Sequence, residues 1–84
     1  MTPFIQLQTT LPSEEAAHNL AEALLADRLA ACVQIVGPVR SLYHWQGKVE
    51  SSAEWLCLLK SRASLFETLE RRIREIHPYE CPEL

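Results

Sequence analysis

Residues 32–60 read CVQIVGPVRSLYHWQGKVESSAEWLCLLK, and the fold turns on them. Cys32 to Val36 is a run of β-like composition. Gly37-Pro38 interrupts it, and Val39 to Trp45 resumes it. Gly followed by Pro inside a strand pattern predicts a bulge or bend. Gln46-Gly47 predicts a tight turn, and the chain returns from Lys48 to Lys60 through the apolar stretch Trp55-Leu56-Cys57-Leu58-Leu59. Each arm, at about a dozen residues, spans ~40 Å at the rise of a strand. One layer of helix drawn from so short a chain cannot cover a hairpin of that length. Tyr43, Trp45 and Trp55 all lie on it, and exposed aromatics on a long hairpin demand another subunit.

Working outward, residues 2–10 alternate, with Ile5, Leu7 and Thr9 on one side and Phe4, Gln6, Gln8 and Thr10 on the other. That is a strand with one apolar face. Leu11-Pro12 ends it. Ser13 is a natural N-cap, with Glu14 and Glu15 in the first turn where the helix dipole favours anions. Ala17, Leu20, Ala21, Leu24 and Leu25 follow at helical spacing, which predicts a helix from Ser13 to about Arg28.

Beyond the hairpin, Ser64-Leu65-Phe66-Glu67 has the form of a capping box. Leu65, Phe66, Leu69, Ile73 and Ile76 make a second helical stripe. Glu67–Arg71 and Glu70–Arg74 are spaced as i,i+4 pairs on the other face. Pro78 stops this helix, and the last residues read as the entry to a strand cut short at Leu84. The order β-α-β-β-α-β predicts one ferredoxin-like α+β domain over residues 1–84. Its antiparallel sheet carries both helices on one face, with a long central hairpin and a truncated last strand.

Composition narrows the function. A chain of 84 residues makes one domain. Hydrophobic residues make up 48% and charged residues 23%, which excludes a disordered chain. A net charge of −3 without a basic run argues against nucleic acid as a partner. No apolar run is long enough to span a membrane, and Met1-Thr2-Pro3-Phe4 has neither the charged nor the apolar part of a signal peptide. Cys32, Cys57 and Cys81 are odd in number and widely spaced, which favours reduced thiols in the cytoplasm over a disulfide framework. So small a core without staples points again to oligomerisation.

No nucleophile–base motif, glycine-rich phosphate loop or His-Glu-x-x-His is present, so the residues give no enzyme. The segment His77-Pro78-Tyr79-Glu80-Cys81-Pro82-Glu83 gathers an imidazole, a phenol, carboxylates and a thiol between two prolines. Such a stiffened set suits copper or zinc; it is equally a helix-to-strand connection in which Pro stops the helix and His caps its last carbonyls. Cys32 and Cys57, in apolar strands, read as buried small hydrophobes. His18 flanks the first helical stripe as a surface or subunit-contact residue, and His44 faces away from Tyr43 and Trp45. Lys60 either meets a carboxylate such as Glu80 or a ligand's anion, or is a solvated strand end.

Four blocks taken together resemble the divalent-cation tolerance family, the CutA proteins. They are Leu29-Ala30-Ala31-Cys32-Val33, Ser41 to Glu50 with its Tyr-x-Trp-x-Gly-Lys turn, Leu58-Leu59-Lys60-Ser61-Arg62, and His77 to Glu83. The similarity runs from about Phe4 to Leu84. It implies a cytoplasmic homotrimer similar in arrangement to the PII-like signalling proteins, its hairpins wrapping neighbouring subunits. It also implies a link to tolerance of copper and other divalent cations, without catalysis or an obligatory cofactor. The metal link comes from the resemblance alone; the oligomer and the lack of a catalytic motif come from the residues.

Family members usually continue past Pro-Glu into the rest of the last strand and a C-terminal helix, so this domain is expected to lack both. Some relatives end the first strand with a cysteine and the last helix with tandem histidines; the matching positions here are Thr9 and Ile76-His77. Only His77 carries over, with Cys81 as a local substitute. The expected metal residues are therefore His77 and Cys81. Cys32, Tyr43, Trp45, Lys60, Tyr79 and Glu80 are expected to line a ligand or inter-subunit cleft. The alternative function is a PII-like trimer that binds a small molecule between subunits and has no physiological metal role.

Overall fold

The computed structural model describes residues 3–77. Five elements follow in order: β1 (Phe4–Leu11), α1 (Glu14–Ala26), β2 (Cys32–Trp45), β3 (Lys48–Arg62) and α2 (Phe66–Ile76), with a 3₁₀ turn over Ala63–Leu65 leading into α2. The strands form an antiparallel sheet in the order β1-β3-β2. The anticipated last strand, with Tyr79, Glu80 and Cys81, lies outside the described residues.

Register assigns the two faces of the sheet. Thr9 pairs with Cys57, Leu7 with Leu59 and Leu11 with Trp55, while Val33 pairs with Leu59 and Ile35 with Cys57. These side chains alternate onto the face that the helices cover. Leu20 and Leu24 of α1 and Leu69 and Ile73 of α2 close over Leu11, Cys57 and Leu59 to form the core. The opposite face carries Phe4, Gln6, Cys32, Gln34, Val36, Leu58 and Lys60, and neither helix covers it. Cys32, expected to be buried, is therefore exposed: Val33, one residue on, takes the inward place.

Both caps of α1 are legible. The Ser13 hydroxyl accepts from the Ala16 N–H at 3.0 Å. At the other end the Leu29 N–H donates to the Leu24 carbonyl at 2.9 Å and the Arg28 N–H to the Leu25 carbonyl at 3.0 Å. This is a Schellman closure with Arg28 at φ 57°, the left-handed position where glycine is usual. Arg28→Gly is accordingly expected to raise stability by about 0.5–1 kcal/mol, read as a higher midpoint in urea. Leu25, counted in the apolar stripe, is 43% exposed, because the stripe is wider than the surface beneath it.

The start of α2 differs from the capping box. The 3₁₀ turn begins at Ala63, so Ser64 sits inside it and neither Arg62 nor Leu65 caps through its side chain. The Ala63 N–H instead donates to the Pro3 carbonyl at 2.8 Å, a link across the sheet that no local motif announces. Among the described residues Glu70–Arg74 forms at 3.4 Å and Glu67–Arg71 does not. Arg72 donates to Asp27 at 2.8 Å, joining α2 to the end of α1.

The hairpin departs from regular pairing between Val36 and Val39, at Gly37-Pro38. It closes through Gln46 and Gly47 at φ 51° and 79°, two positive values that mark a type I′ turn. Its outer half projects beyond the helices: Leu42 is 67%, Trp45 61% and Val49 63% exposed. The molecule is 39 Å in its longest dimension.

Candidate functional site

His77 is the residue on which the metal expectation rests, and the structure places it with care. It caps α2 in an extended conformation, its own N–H donating to the Ile73 carbonyl at 2.8 Å. The ring is buried, 6% exposed. Its Nε2 lies 2.7 Å from the Thr10 carbonyl. A carbonyl only accepts, so Nε2 carries the proton. A metal at His77 would then have to be bound through Nδ1. The ring's location next to β1 answers the helix-stop reading as well: it ties the end of α2 to a strand 67 residues earlier.

Burial pulls the His77 pKa below its ordinary 6.5; the hydrogen bond to Thr10 and the negative charge of buried Glu54 oppose that shift. Below 6.5 the unfolded chain takes up a proton that the folded ring resists, so stability is fully present above 6.5 and is lost as pH falls through the folded value. The melting temperature should therefore decline on acidification from neutral pH. His77→Gln, which keeps a donor for Thr10, should flatten that decline; an unchanged slope would show that His77 is not its source.

The other nominated residues fall into separate groups. Cys32 and Lys60 are direct cross-strand partners at the base of the hairpin, both exposed on the helix-free face. Tyr43 and Trp45 share one face near its tip, opposite Glu50 and Lys48. Base and tip are ~40 Å apart along the strands, so no pocket within one chain unites them. Tyr79, Glu80 and Cys81 lie outside the described residues. Among those described, no three His, Cys, Asp or Glu side chains converge as a metal cage would require.

Cys57 behaves as expected of a small core residue. Its Sγ is 3.8 Å from the Ala17 carbonyl, and burial pushes its pKa up to about 11, which leaves an inert thiol. Its strand partner Thr9 is also buried, and the Thr9 hydroxyl has no hydrogen-bond partner among the described residues. Two open clefts escaped the sequence reading. One, of about 450 Å³, lies between α1 and the hairpin and is lined by Glu14, Glu15, His18, Ile35 and Trp55. The second, of about 370 Å³, lies between the end of α1 and the end of β3. In sequence Glu14 and Glu15 read as first-turn charges, His18 as a surface residue, and the others as strand, stripe or family-block residues; only the fold brings them together.

The CutA1 divalent ion tolerance protein model matches residues 5–84. The chain belongs to the CutA1 divalent ion tolerance family. It is 47% identical over 75 residues to a divalent-cation tolerance protein CutA of Thermus thermophilus, covering 89% of this chain and 73% of that one. It is 40% identical over 82 residues to a chloroplastic CutA 1 of Oryza sativa, of which it spans 46%. The crystal structure of CutA1 from Oryza sativa superposes with a TM-score of 0.95 at 40% identity, covering 98% of this chain and 75% of that one. The CutA1 neighbours share the ferredoxin-like fold, which accounts for the β-α-β-β-α order and the helices on one face.

Proposed function

We propose that this CutA chain works in the cytoplasm as a homotrimer in the response to divalent metal ions, binding copper or a similar cation and catalysing no reaction. Family membership carries the metal reading. The trimer is supported by the uncovered surfaces: Phe4 and Val36 on the helix-free face, and Leu42, Trp45 and Val49 on the projecting hairpin. Burying such side chains contributes ~25 cal/mol per Å² of apolar area, enough over several strands to hold subunits together. Light scattering at micromolar concentration should give three times the chain mass, and a monomer mass would refute the assembly.

A single imidazole makes a weak site. Useful affinity needs either the Cys81 thiolate beside His77, a soft site suited to Cu(I) or Zn, or His77 copies from neighbouring subunits. Calorimetric titration with Cu and Zn under reducing conditions separates them. Cys81→Ser abolishes binding in the first case and spares it in the second; His77→Ala abolishes it in both. Unchanged binding in His77→Ala would leave the residue as a helix terminator. The exposed pair Tyr43 and Trp45 favours a second reading, a PII-like trimer that takes a small molecule between subunits. Purification without an affinity tag, followed by metal analysis, distinguishes it: that reading expects no bound metal.

A further inference from the structure

The cleft between the C-terminal turn of α1 and the end of β3 differs in chemistry from the rest of the molecule. The chain is acidic overall, yet this cleft of about 370 Å³ has Arg28 and Arg62 in its lining, apolar Leu25 and Leu65, and no carboxylate. Arg72 and Arg74 are engaged by Asp27, Glu75 and Glu70. Arg28 and Arg62 have no such partner among the described residues, and both are exposed.

The walls are fixed in place. The Ser61 hydroxyl donates to the Leu29 carbonyl at 2.6 Å, and the Ala31 N–H donates to the Lys60 carbonyl at 2.8 Å. These bonds clamp the turn that bears Arg28 onto the strand that ends in Arg62. Arg28 itself stands at φ 57°, where glycine would be more stable. A strained non-glycine residue whose side chain lines a cleft is the pattern expected where local stability has been given up for binding.

We propose that this cleft binds a small amphipathic anion: a carboxylate or phosphate held by Arg28 and Arg62, carried on an apolar body that rests on Leu25 and Leu65. Guanidinium groups match the forked geometry of both anions, and the volume falls within the range of small-molecule sites. The reading is independent of the metal reading, since it uses neither His77 nor Cys81.

The test is a titration of the full chain with hexyl phosphate and with hexanoate, followed by ¹H–¹⁵N NMR, with inorganic phosphate and hexanol as controls. Saturable shifts centred on residues 28–31 and 61–65 are expected with at least one of the two amphiphiles, and the stronger arm identifies the anion. Arg28→Gly suits the turn, so it should keep or raise the melting temperature while weakening binding about tenfold, as loss of a charged hydrogen-bond partner does. Arg62→Gln should weaken it likewise. The absence of saturable shifts, shifts equally strong with hexanol or with inorganic phosphate alone, or affinity unaltered by Arg28→Gly would each overturn the proposal. A change of assembly mass in Arg28→Gly would also overturn it, by showing the cleft to be a contact between copies of the chain.

Discussion

Leu24→Ala is expected to remove about 2–5 kcal/mol of unfolding free energy, and Leu69→Ala a similar amount. Both side chains are completely buried in the layer between the helices and the sheet. Truncation costs the transfer energy of the lost methyl groups and leaves a cavity that the surrounding Leu20, Leu59 and Ile73 can fill only by shifting. The control is one residue away. Leu25 is 43% exposed, and Leu25→Ala should cost less than about 1 kcal/mol. Urea melts of the three variants decide the matter. A loss below about 0.5 kcal/mol at Leu24, the level of an ordinary surface change, would mean that α1 turns a different face to the core.

That contrast shows where periodicity stops being informative. Spacing alone put Ala17, Leu20, Ala21, Leu24 and Leu25 on one stripe. Which edge of the stripe meets the sheet depends on the position of α2, and no local pattern encodes it. Cys32 illustrates the same limit in a strand: apolar residues stand at both parities from Cys32 to Val36, with Gln34 the one polar residue, and the pairing of Val33 with Leu59 shows which parity faces inward. Ser64 was misleading for a related reason. A capping box is a short-range pattern, whereas the Ala63–Pro3 hydrogen bond at the start of the 3₁₀ turn links the turn to the residue just before β1, far away in sequence. What local chemistry does determine was legible: the Ser13 cap, the Gln46-Gly47 turn, the irregularity at Gly37-Pro38 and the stop of α2 at His77.

The candidate site was legible as a list of residues and not as a place. Cys32 and Lys60 meet across strands, Tyr43 and Trp45 share a face far from them, and His77 is held at the end of β1. Sequence motifs carry no distances, and the distances here separate these groups along a molecule 39 Å long. A site that combined them would have to be assembled from more than one chain, so the expected inter-subunit cleft requires the proposed trimer. The Arg28–Arg62 cleft draws on two of the blocks that carry the family resemblance, Leu29 to Val33 and Leu58 to Arg62, but neither block reads as an anion site. The one available signal, an arginine where a helix of this length would favour a terminal glycine, acquires meaning only when the closure of α1 is seen.

Gly37→Ala is the second substitution with a large expected effect. A methyl group at Gly37 would come within 2.7 Å of Cδ2 of Trp55, on the flat of the indole ring. No real contact is that short, so ring or backbone must move. Trp55 is half-buried: one side of it packs against the core, and it also lines the open cleft with Glu14, Glu15, His18 and Ile35. The ring can therefore retreat only by giving up core contacts or by swinging into that cleft. Overpacking of this kind costs about 1–3 kcal/mol. A double-mutant cycle isolates the cause. Trp55→Leu alone loses packing, but in the Trp55→Leu background Gly37→Ala should cost much less than in the wild type, a coupling of at least about 1 kcal/mol between residues in contact. Additive effects would place the glycine's importance in the backbone of the bulge rather than in its approach to the ring. If the proposed trimer forms through the outer half of the hairpin, which carries Tyr43 and Trp45, Gly37→Ala should also lower its fraction in light scattering at a fixed concentration, and Trp55→Leu should restore it.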